Sequence, residues 1–397
     1  MSIQVPRGFR VAGVHCGIKR NPNKPDLTLV VSDGPATAAG VYTQNLVFAA
    51  PVALNRGRTP SAAMRLIVVN SGNANACTGE RGLADAHEMA RLSARACGAR
   101  ESEALVLSTG VIGSFLPMEN IAAGIAAAAQ SLASDDEAFA NASRGMLTTD
   151  TVQKVSGRRL KLSAGEAQLT GMAKGAAMIG PNMATMLCVL MTDAPISPEA
   201  AQRSLAAAVD VTFNCISVEG HMSTNDTVLM LANGAAGGKP LAGADLAAFD
   251  AALLEVCTDL ARAIPSDGEG ASHLITIDVN GCANRASARA IAKTVAESPL
   301  VKTAIAGGDP NWGRILSAAG YSGVAFDPAG VRLLVNGFPL YERGEPLPYD
   351  AQQVSSSIRE NRDVSVEVFF SEGTAALRYW TTDLTAEYVR LNADFTT

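Results

Sequence analysis

The sequence contains no apolar run long enough to cross a bilayer. Its longest such stretch, Ile121 to Ala129, is interrupted by Gly124 and falls well short of the roughly 20 residues that a spanning helix needs. Histidine is scarce, with only His15, His87, His221 and His273. Apart from the pair Glu219 and His221 these residues are isolated, so neither a metal site nor a cofactor is expected. The seven cysteines, at positions 16, 77, 97, 188, 215, 257 and 282, form no CxxC pair; their spacing excludes a small disulfide scaffold and reads as reduced core thiols. There is no run of Lys and Arg and the formal net charge is -6. The electrostatic footprint of a nucleic-acid binder is therefore missing, and a small-molecule partner is expected instead. The opening residues Met1-Ser2-Ile3-Gln4-Val5-Pro6-Arg7 lack the basic start and apolar stretch of a secretory signal, which points to the cytoplasm.

What the chain does have is length and apolar content. With 397 residues, 48% of them hydrophobic, it can build two or three domains. Apolar spacing predicts helices at about 83–96, 117–133, 198–210, 244–264, 286–297 and 351–360. Ser197-Pro198 supplies a cap followed by proline at the first helical position. Short β-branched or apolar runs predict strands at Leu27 to Ser32, Arg65 to Asn70, Ala104 to Ser108, Met186 to Met191, Thr227 to Ala232, Leu274 to Asn280, Val331 to Val335 and Val364 to Phe370. The mixture is that of an α/β or α+β chain, with no internal repeat or low-complexity linker. A change of character near Ala283 suggests a smaller C-terminal lobe over about 283–397.

Two apparent motifs fail on inspection. Gly234-Ala235-Ala236-Gly237-Gly238-Lys239 resembles a phosphate loop, but Asn233 stands where glycine is needed and Pro240 where Ser or Thr is needed; it reads as a surface turn. Glu219 and His221 lack further ligands nearby in sequence. More informative is the stretch from Lys174 to Met191, where a tight Gly180-Pro181-Asn182 loop runs into a strand with Thr185 at the junction. Such a junction exposes a hydroxyl, although a strand-entry threonine and a solvated loop lysine would look the same. Ser108-Thr109-Gly110-Val111-Ile112-Gly113 follows an apolar strand and precedes a helix. Backbone N–H groups there can face a developing oxyanion, or the glycines can simply make a turn.

Taken together, these residues resemble the ornithine acetyltransferase family of arginine biosynthesis, also called bifunctional glutamate N-acetyltransferase and amino-acid acetyltransferase. The resemblance spans the chain. It runs from Arg7-Gly8-Phe9 through Asn70-Ser71-Gly72-Asn73-Ala74-Asn75-Ala76-Cys77-Thr78-Gly79, Thr148-Thr149-Asp150-Thr151 and Ser223-Thr224-Asn225-Asp226-Thr227. It continues through Ser266-Asp267-Gly268-Glu269-Gly270-Ala271, Ser298-Pro299-Leu300-Val301-Lys302-Thr303 and Asp309-Pro310-Asn311-Trp312-Gly313-Arg314 to the terminal Tyr388 to Thr397 segment.

The resemblance implies a two-lobed precursor that cleaves itself between Ala184 and Thr185, leaving fragments 1–184 and 185–397 associated, as a heterotetramer of two of each. Thr185 would be the nucleophile, and Thr109 with Gly110 the oxyanion hole. Substrate contacts would fall on Thr148, Thr151, Lys174, Thr185, Glu269, Asn392 and Thr397. The implied reaction moves acetyl from N2-acetylornithine to glutamate, with acetyl-CoA left open as a second donor. Two departures stand out: Ala176-Ala177 and Gly180 replace Ser-Gly and Ala, and Glu219-Gly220-His221 replaces Asp-Gly-Asp. The first keeps the loop small, whereas the second swaps a carboxylate for an imidazole.

A threonine hydroxyl needs a base, and an N-terminal threonine can use its own α-amine, which titrates near about 7.7 to 8.0. Scission would thus create the catalytic base. Two other readings remain open from the residues: a self-processed aminopeptidase or amidase, and a binding or assembly protein in which Thr185 stays unprocessed.

Overall fold

The computed structural model describes residues 4–180 and 186–394. Strands β1 (Phe9–Val14), β2 (Leu27–Tyr42), β3 (Ser61–Asn73), β4 (Ala104–Val111), β5 (Lys154–Leu162), β6 (Gly165–Lys174), β7 (Leu187–Thr192) and β8 (Thr227–Ala232) form one sheet. Its order is β4-β3-β2-β8-β7-β6-β5, with β1 added on β2.

The sheet is folded at β2. The first half of this strand pairs with β1 and β3, its second half pairs with β8 while keeping β3 partners at Ala36 and Ala38, and the register against β3 shifts between Val31 and Ala36 and again before Ala38. Such irregularities bend a strand, so the expected strand Leu27 to Ser32 continues round the bend to Tyr42. The two halves then share one core: Phe9, Val30, Ile67 and Leu105 from one side meet Met172, Val189, Met191 and Leu229 from the other.

Helices close the outside. Gly79–Ala96 and Met118–Gln130 pack on the β3–β4 side through Ala86, Met89, Ile121 and Ile125. Pro198–Val211 and Gly243–Ser266 cover the β5–β8 side through Leu205, Val209, Phe249 and Leu253. The result is four layers, helix, sheet, sheet, helix. A strand between two apolar layers must be apolar on both faces, and β7 meets that demand: Cys188 and Leu190 enter one core, while Leu187, Val189 and Met191 enter the other.

A second sheet, ordered β12-β11-β10-β13-β9-β14, comprises β9 (Leu274–Cys282), β10 (Arg332–Val335), β11 (Phe338–Glu342), β12 (Glu345–Pro346), β13 (Asp363–Phe369) and β14 (Ala375–Thr382). Its first strand precedes Ala283. Helices Arg285–Glu297, Trp312–Gly320 and Ala351–Arg359 bury Ile291, Val295, Ile315, Val354 and Ile358 against it. Contacts with the first lobe include Ile216, which bridges to Trp380 on β14, and the packing of Leu274 and Trp380 into the first lobe's core.

Each of the expected helices is present. Ser197 Oγ accepts from Ala200 N at 3.3 Å, as its capping role requires. The hairpin β5–β6 escapes an apolar-run reading because Arg158, Arg159, Lys161 and Gln168 occupy its less buried positions. The Gly234 to Lys239 segment is a turn in which Gly237 N–H meets the Gly234 carbonyl at 2.9 Å. All seven cysteines are free, but only Cys188, Cys215, Cys257 and Cys282 are buried; Cys77 is exposed and Cys16 and Cys97 are half-buried. The core-thiol expectation is corrected accordingly. Cys77 adopts a left-handed turn conformation at a loop tip, where a thiol meets solvent. Among the described residues no helix is long and apolar enough to cross a membrane.

Candidate active site

Strand pairing gathers the candidate residues at one end of the first lobe. Thr109 and Gly110, at the end of β4, stand opposite Ser71 and Gly72 of the parallel strand β3. Lys174, the last residue of β6, stands opposite Leu187, the first of β7, and Leu187 pairs with Thr227 of β8. Residues 174, 187 and 227 thus share one edge of β6–β8, and the bend in β2 folds that edge back onto the end of β4, where Lys174 meets Thr109.

Gly110 is required by geometry. Its φ of +133° lies where side chains are disfavoured, and a Cβ built there would sit 2.2 Å from the Gly72 carbonyl carbon. Asn225 fixes this turn from the opposite side, its Nδ2 donating to the carbonyls of Ala74 at 2.6 Å and Ser108 at 2.8 Å. Asn70 reinforces it by accepting from Ser108 Oγ at 2.6 Å and donating to the Asn73 carbonyl at 2.8 Å.

Lys174 is no loop charge. It is buried at a strand end, and its Nζ donates to Thr109 Oγ1 at 3.1 Å. Burial pushes its pKa down, while Asp150, Asp226 and Glu269 act in the opposite direction. Burial alone would raise the Asp150 carboxyl, but Lys174, Lys154 and the Gly175 N–H outweigh it and hold it well below the usual carboxylate range. Its oxygens accept from Gly175 N at 2.7 Å, Lys154 Nζ at 2.7 Å and Thr148 N at 3.0 Å. Lys154 in turn bonds Asp267 Oδ2 at 2.6 Å, so a buried lysine joins the 148–151 segment to the 266–271 loop.

Two adjoining cavities open onto this array. The inner one, about 580 Å³, is lined by Thr109, Gly110, Thr148, Thr149, Lys174, Glu269 and Asn392, together with Ser223, Thr224 and Asn225. The outer one, about 790 Å³, shares Lys19, Lys24, Thr148, Thr149 and Glu269 with it and adds Arg144, Thr151, Asp267 and Arg362. The structure therefore brings Thr109, Gly110, Thr148, Lys174, Glu269 and Asn392 to one inner cavity. Thr151 faces the outer one, where its N–H and Oγ1 both engage the Asp267 carboxylate. Glu269 Oε2 accepts from Asn392 Nδ2 at 3.0 Å, which ties the helix Ala386–Asp394 to the cavity rim. Ala184, Thr185 and Thr397 lie outside the described residues.

Both flanks of residues 181–185 are anchored. Ile179 O accepts from Val218 N at 2.9 Å and Gly220 N at 3.1 Å. Met186 N donates to Asp226 Oδ1 at 3.1 Å. Asp226 is fully buried, and burial raises its carboxyl well above the usual range, against the opposing hydrogen bonds of Met186 and Ser223 and the pull of Lys174. Sequence reasoning assigned no role to Asp150, Lys154, Asn225 or Asp226. Asp150, Asn225 and Asp226 stand inside segments that carry the family resemblance, but a buried charge pair is visible only once strands bring the partners together.

Residues 10–397 match a sequence profile of the ArgJ family. The chain belongs to that family. An arginine biosynthesis bifunctional protein ArgJ of Rhodopirellula baltica is 45% identical over 396 residues, which cover 99% of this chain and 96% of the relative. The Bacillus licheniformis protein of the same description is 44% identical over 399 residues, covering 100% and 97%. A crystal structure of the Bacillus halodurans arginine biosynthesis bifunctional protein argJ superposes with a TM-score of 0.50 at 38% identity, covering 51% of this chain and 96% of that one. The crystallised chain thus corresponds to about half of this ArgJ-family chain.

Within this family member, Glu219 and His221 do not form a pair. The Glu219 carboxylate oxygens are buried without a hydrogen-bond partner among the described residues, and burial raises its pKa to about 8. His221 is exposed. Among the described residues no group of three or more His, Cys, Asp and Glu side chains is arranged to hold a metal ion.

Proposed function

We propose that the chain cleaves itself between Ala184 and Thr185, and that Thr185 then carries acetyl from N2-acetylornithine to glutamate, yielding ornithine and N-acetylglutamate in arginine biosynthesis. The observation that carries this reading is the pairing of Lys174 Nζ with Thr109 Oγ1 at 3.1 Å in a cavity beside the two anchored flanks of residues 181–185. The half-length crystallised relative supports it, because scission after residue 184 divides the chain in nearly that proportion.

In scission, Thr185 Oγ attacks the Ala184 carbonyl carbon. The C–N bond breaks, the amide nitrogen takes a proton and becomes the α-amine of Thr185, and water hydrolyses the resulting ester to release the Ala184 carboxylate. In turnover, the free amine accepts the Oγ proton while Oγ attacks the acetyl carbon of N2-acetylornithine. The tetrahedral oxyanion faces Thr109 and the Gly110 N–H, each such donor contributing about 2.7–4 kcal/mol. Collapse expels the ornithine α-amine with the proton, and glutamate's amine then takes acetyl from the ester. Acetyl-CoA enters by the same chemistry, with its thiolate as leaving group.

Lys174 and Asn392 hold the substrate's polar end, while Glu269 and Thr148 line its path and Thr151 the outer approach. Thr397 completes the substrate contacts. The reaction belongs in the cytoplasm, with fragments 1–184 and 185–397 assembled as two copies of each, the second carrying the C-terminal lobe. N-terminal sequencing of the purified protein and an ornithine-release assay test the reading together. A second fragment beginning at Thr185, and ornithine release that depends on glutamate, are expected. An intact active chain overturns it, and release that ignores glutamate shows a hydrolase.

A further inference from the structure

Lys302 is a buried lysine outside the catalytic array, within the Ser298 to Thr303 segment that the reaction leaves without a role. It projects from the helix Pro299–Ala306 of the second lobe, and among the described residues no carboxylate lies within ion-pair distance. Its Nζ instead donates to Val218 O at 2.7 Å, Thr382 Oγ1 at 3.0 Å, Thr381 Oγ1 at 3.2 Å and the Thr382 carbonyl.

Val218 belongs to a strap that carries this constraint onward. Ser217 N–H is bound to the Trp380 carbonyl of β14 at 3.0 Å. From the strap, Val218 N, Gly220 N and Ser217 Oγ all converge on the Ile179 carbonyl, at 2.9, 3.1 and 3.2 Å. Gly180 lies so close that a Cβ there would stand 2.5 Å from the Gly220 carbonyl carbon. Ile179 is five residues ahead of Ala184.

We propose that Lys302 is a positioning residue for scission: from the second lobe it fixes the Val218 carbonyl, and through the strap it sets where the chain enters the segment to be cut. The physical reason is directional. A carbonyl held by one neutral donor can swing, whereas a strap whose outer carbonyl is held by an ammonium with four acceptors presents its inner N–H groups at a fixed angle. Attack of Thr185 Oγ on the Ala184 carbonyl demands near-contact alignment, so an ångström of play in the entering chain slows it. The inference rests on the self-cleavage reading above. Turnover by the mature enzyme, in which the bond is already broken, depends on the clamp far less.

The test tracks scission of full-length protein made by cell-free synthesis, quantified over time by denaturing electrophoresis. Lys302→Met, which keeps the stem and removes the donors, is expected to slow scission at least tenfold, while mature enzyme collected after scission transfers acetyl within about threefold of wild type. Val354→Ala, a cavity in the second-lobe core away from the strap, is the control. It should lower Tm yet cleave within about twofold of wild type. Ser217→Ala, which removes one donor to Ile179, should slow scission about threefold and serves if Lys302→Met does not fold. Wild-type rates in Lys302→Met or in Ser217→Ala overturn the clamp, as does slowing in Val354→Ala that matches its loss of Tm. Wild type that never cuts at Thr185 overturns the scission reading itself, and the clamp with it.

Discussion

Lys174 Nζ donates to Thr109 Oγ1 at 3.1 Å across 65 residues of sequence, joining the ends of β6 and β4 at the mouth of the inner cavity. On the proposed reading, a lysine donating to the Thr109 oxygen leaves the hydroxyl's own proton free for a developing oxyanion and makes it a better donor. Lys174→Met should leave a folded chain with Asp150 still paired to Lys154, and should depress both scission and acetyl transfer by about 10²–10³-fold. Rates within threefold of wild type in both assays would remove Lys174 from the site.

Gly110→Ala meets two obstacles at once, a φ of +133° and a backbone carbon 2.2 Å from the new Cβ. Strain of about 1–3 kcal/mol is typical of such positions. Scission and transfer should both fall about tenfold or more, with Tm lowered. An alanine variant that cleaves and turns over normally would show that the turn has slack.

Thr185→Ala removes the proposed nucleophile and should leave one intact, folded, inactive chain. Thr185→Ser keeps a hydroxyl and should cleave at least partly, with mass spectrometry showing an acetylated second fragment under N2-acetylornithine. Initial rates against both substrates should then give parallel double-reciprocal lines. Intersecting lines without an acetylated fragment point to direct transfer.

Asn392 reaches the cavity rim only through the helix Ala386–Asp394, where it meets Glu269 at 3.0 Å. Asn392→Ala and Glu269→Gln should raise KM for N2-acetylornithine about tenfold while leaving scission within twofold, since neither group touches the anchors of residues 181–185. Equal losses in scission and KM would contradict a purely substrate-side role.

Burial raises the Glu219 carboxyl to about 8, against the opposing pull of Lys302 and with Glu269 adding to the rise. The folded chain therefore retains this proton where the unfolded chain has released it. Stability from this group is full below the ordinary carboxyl value and is lost as pH climbs through about 8. Glu219→Gln should have little effect on Tm near about pH 4 and raise Tm relative to wild type above about pH 8. A difference that does not change with pH would place the Glu219 charge in solvent.

Periodicity was enough for Pro198–Val211 with its Ser197 cap, and for β7, whose unbroken apolar run already implied burial on both faces. It was not enough for β5 and β6, where arginine, lysine and glutamine mask the alternation, or for the bend in β2, which depends on register shifts against β3 and on a further partner, β8, taken up beyond them. The site divides the same way. Thr109, Gly110, Lys174 and Glu269 were named from local pattern and resemblance, whereas the burial of Lys174, the Asp150–Lys154–Asp267 bridge and the Asn225 clamp came from strand order.

By itself the sequence determined the mixed α/β class, the family, and the apolar strand Leu187–Thr192. Those are properties of neighbours along the chain, set by propensity, turn chemistry and residue identity. Only the tertiary structure decided that Thr148 lines both cavities and Thr151 only the outer one, that the Glu219 carboxyl is buried while His221 is exposed, and that Lys302 is held by carbonyls and hydroxyls. Burial and charge pairing depend on which strands lie side by side, and that is settled by how the two halves of the folded sheet close on one core.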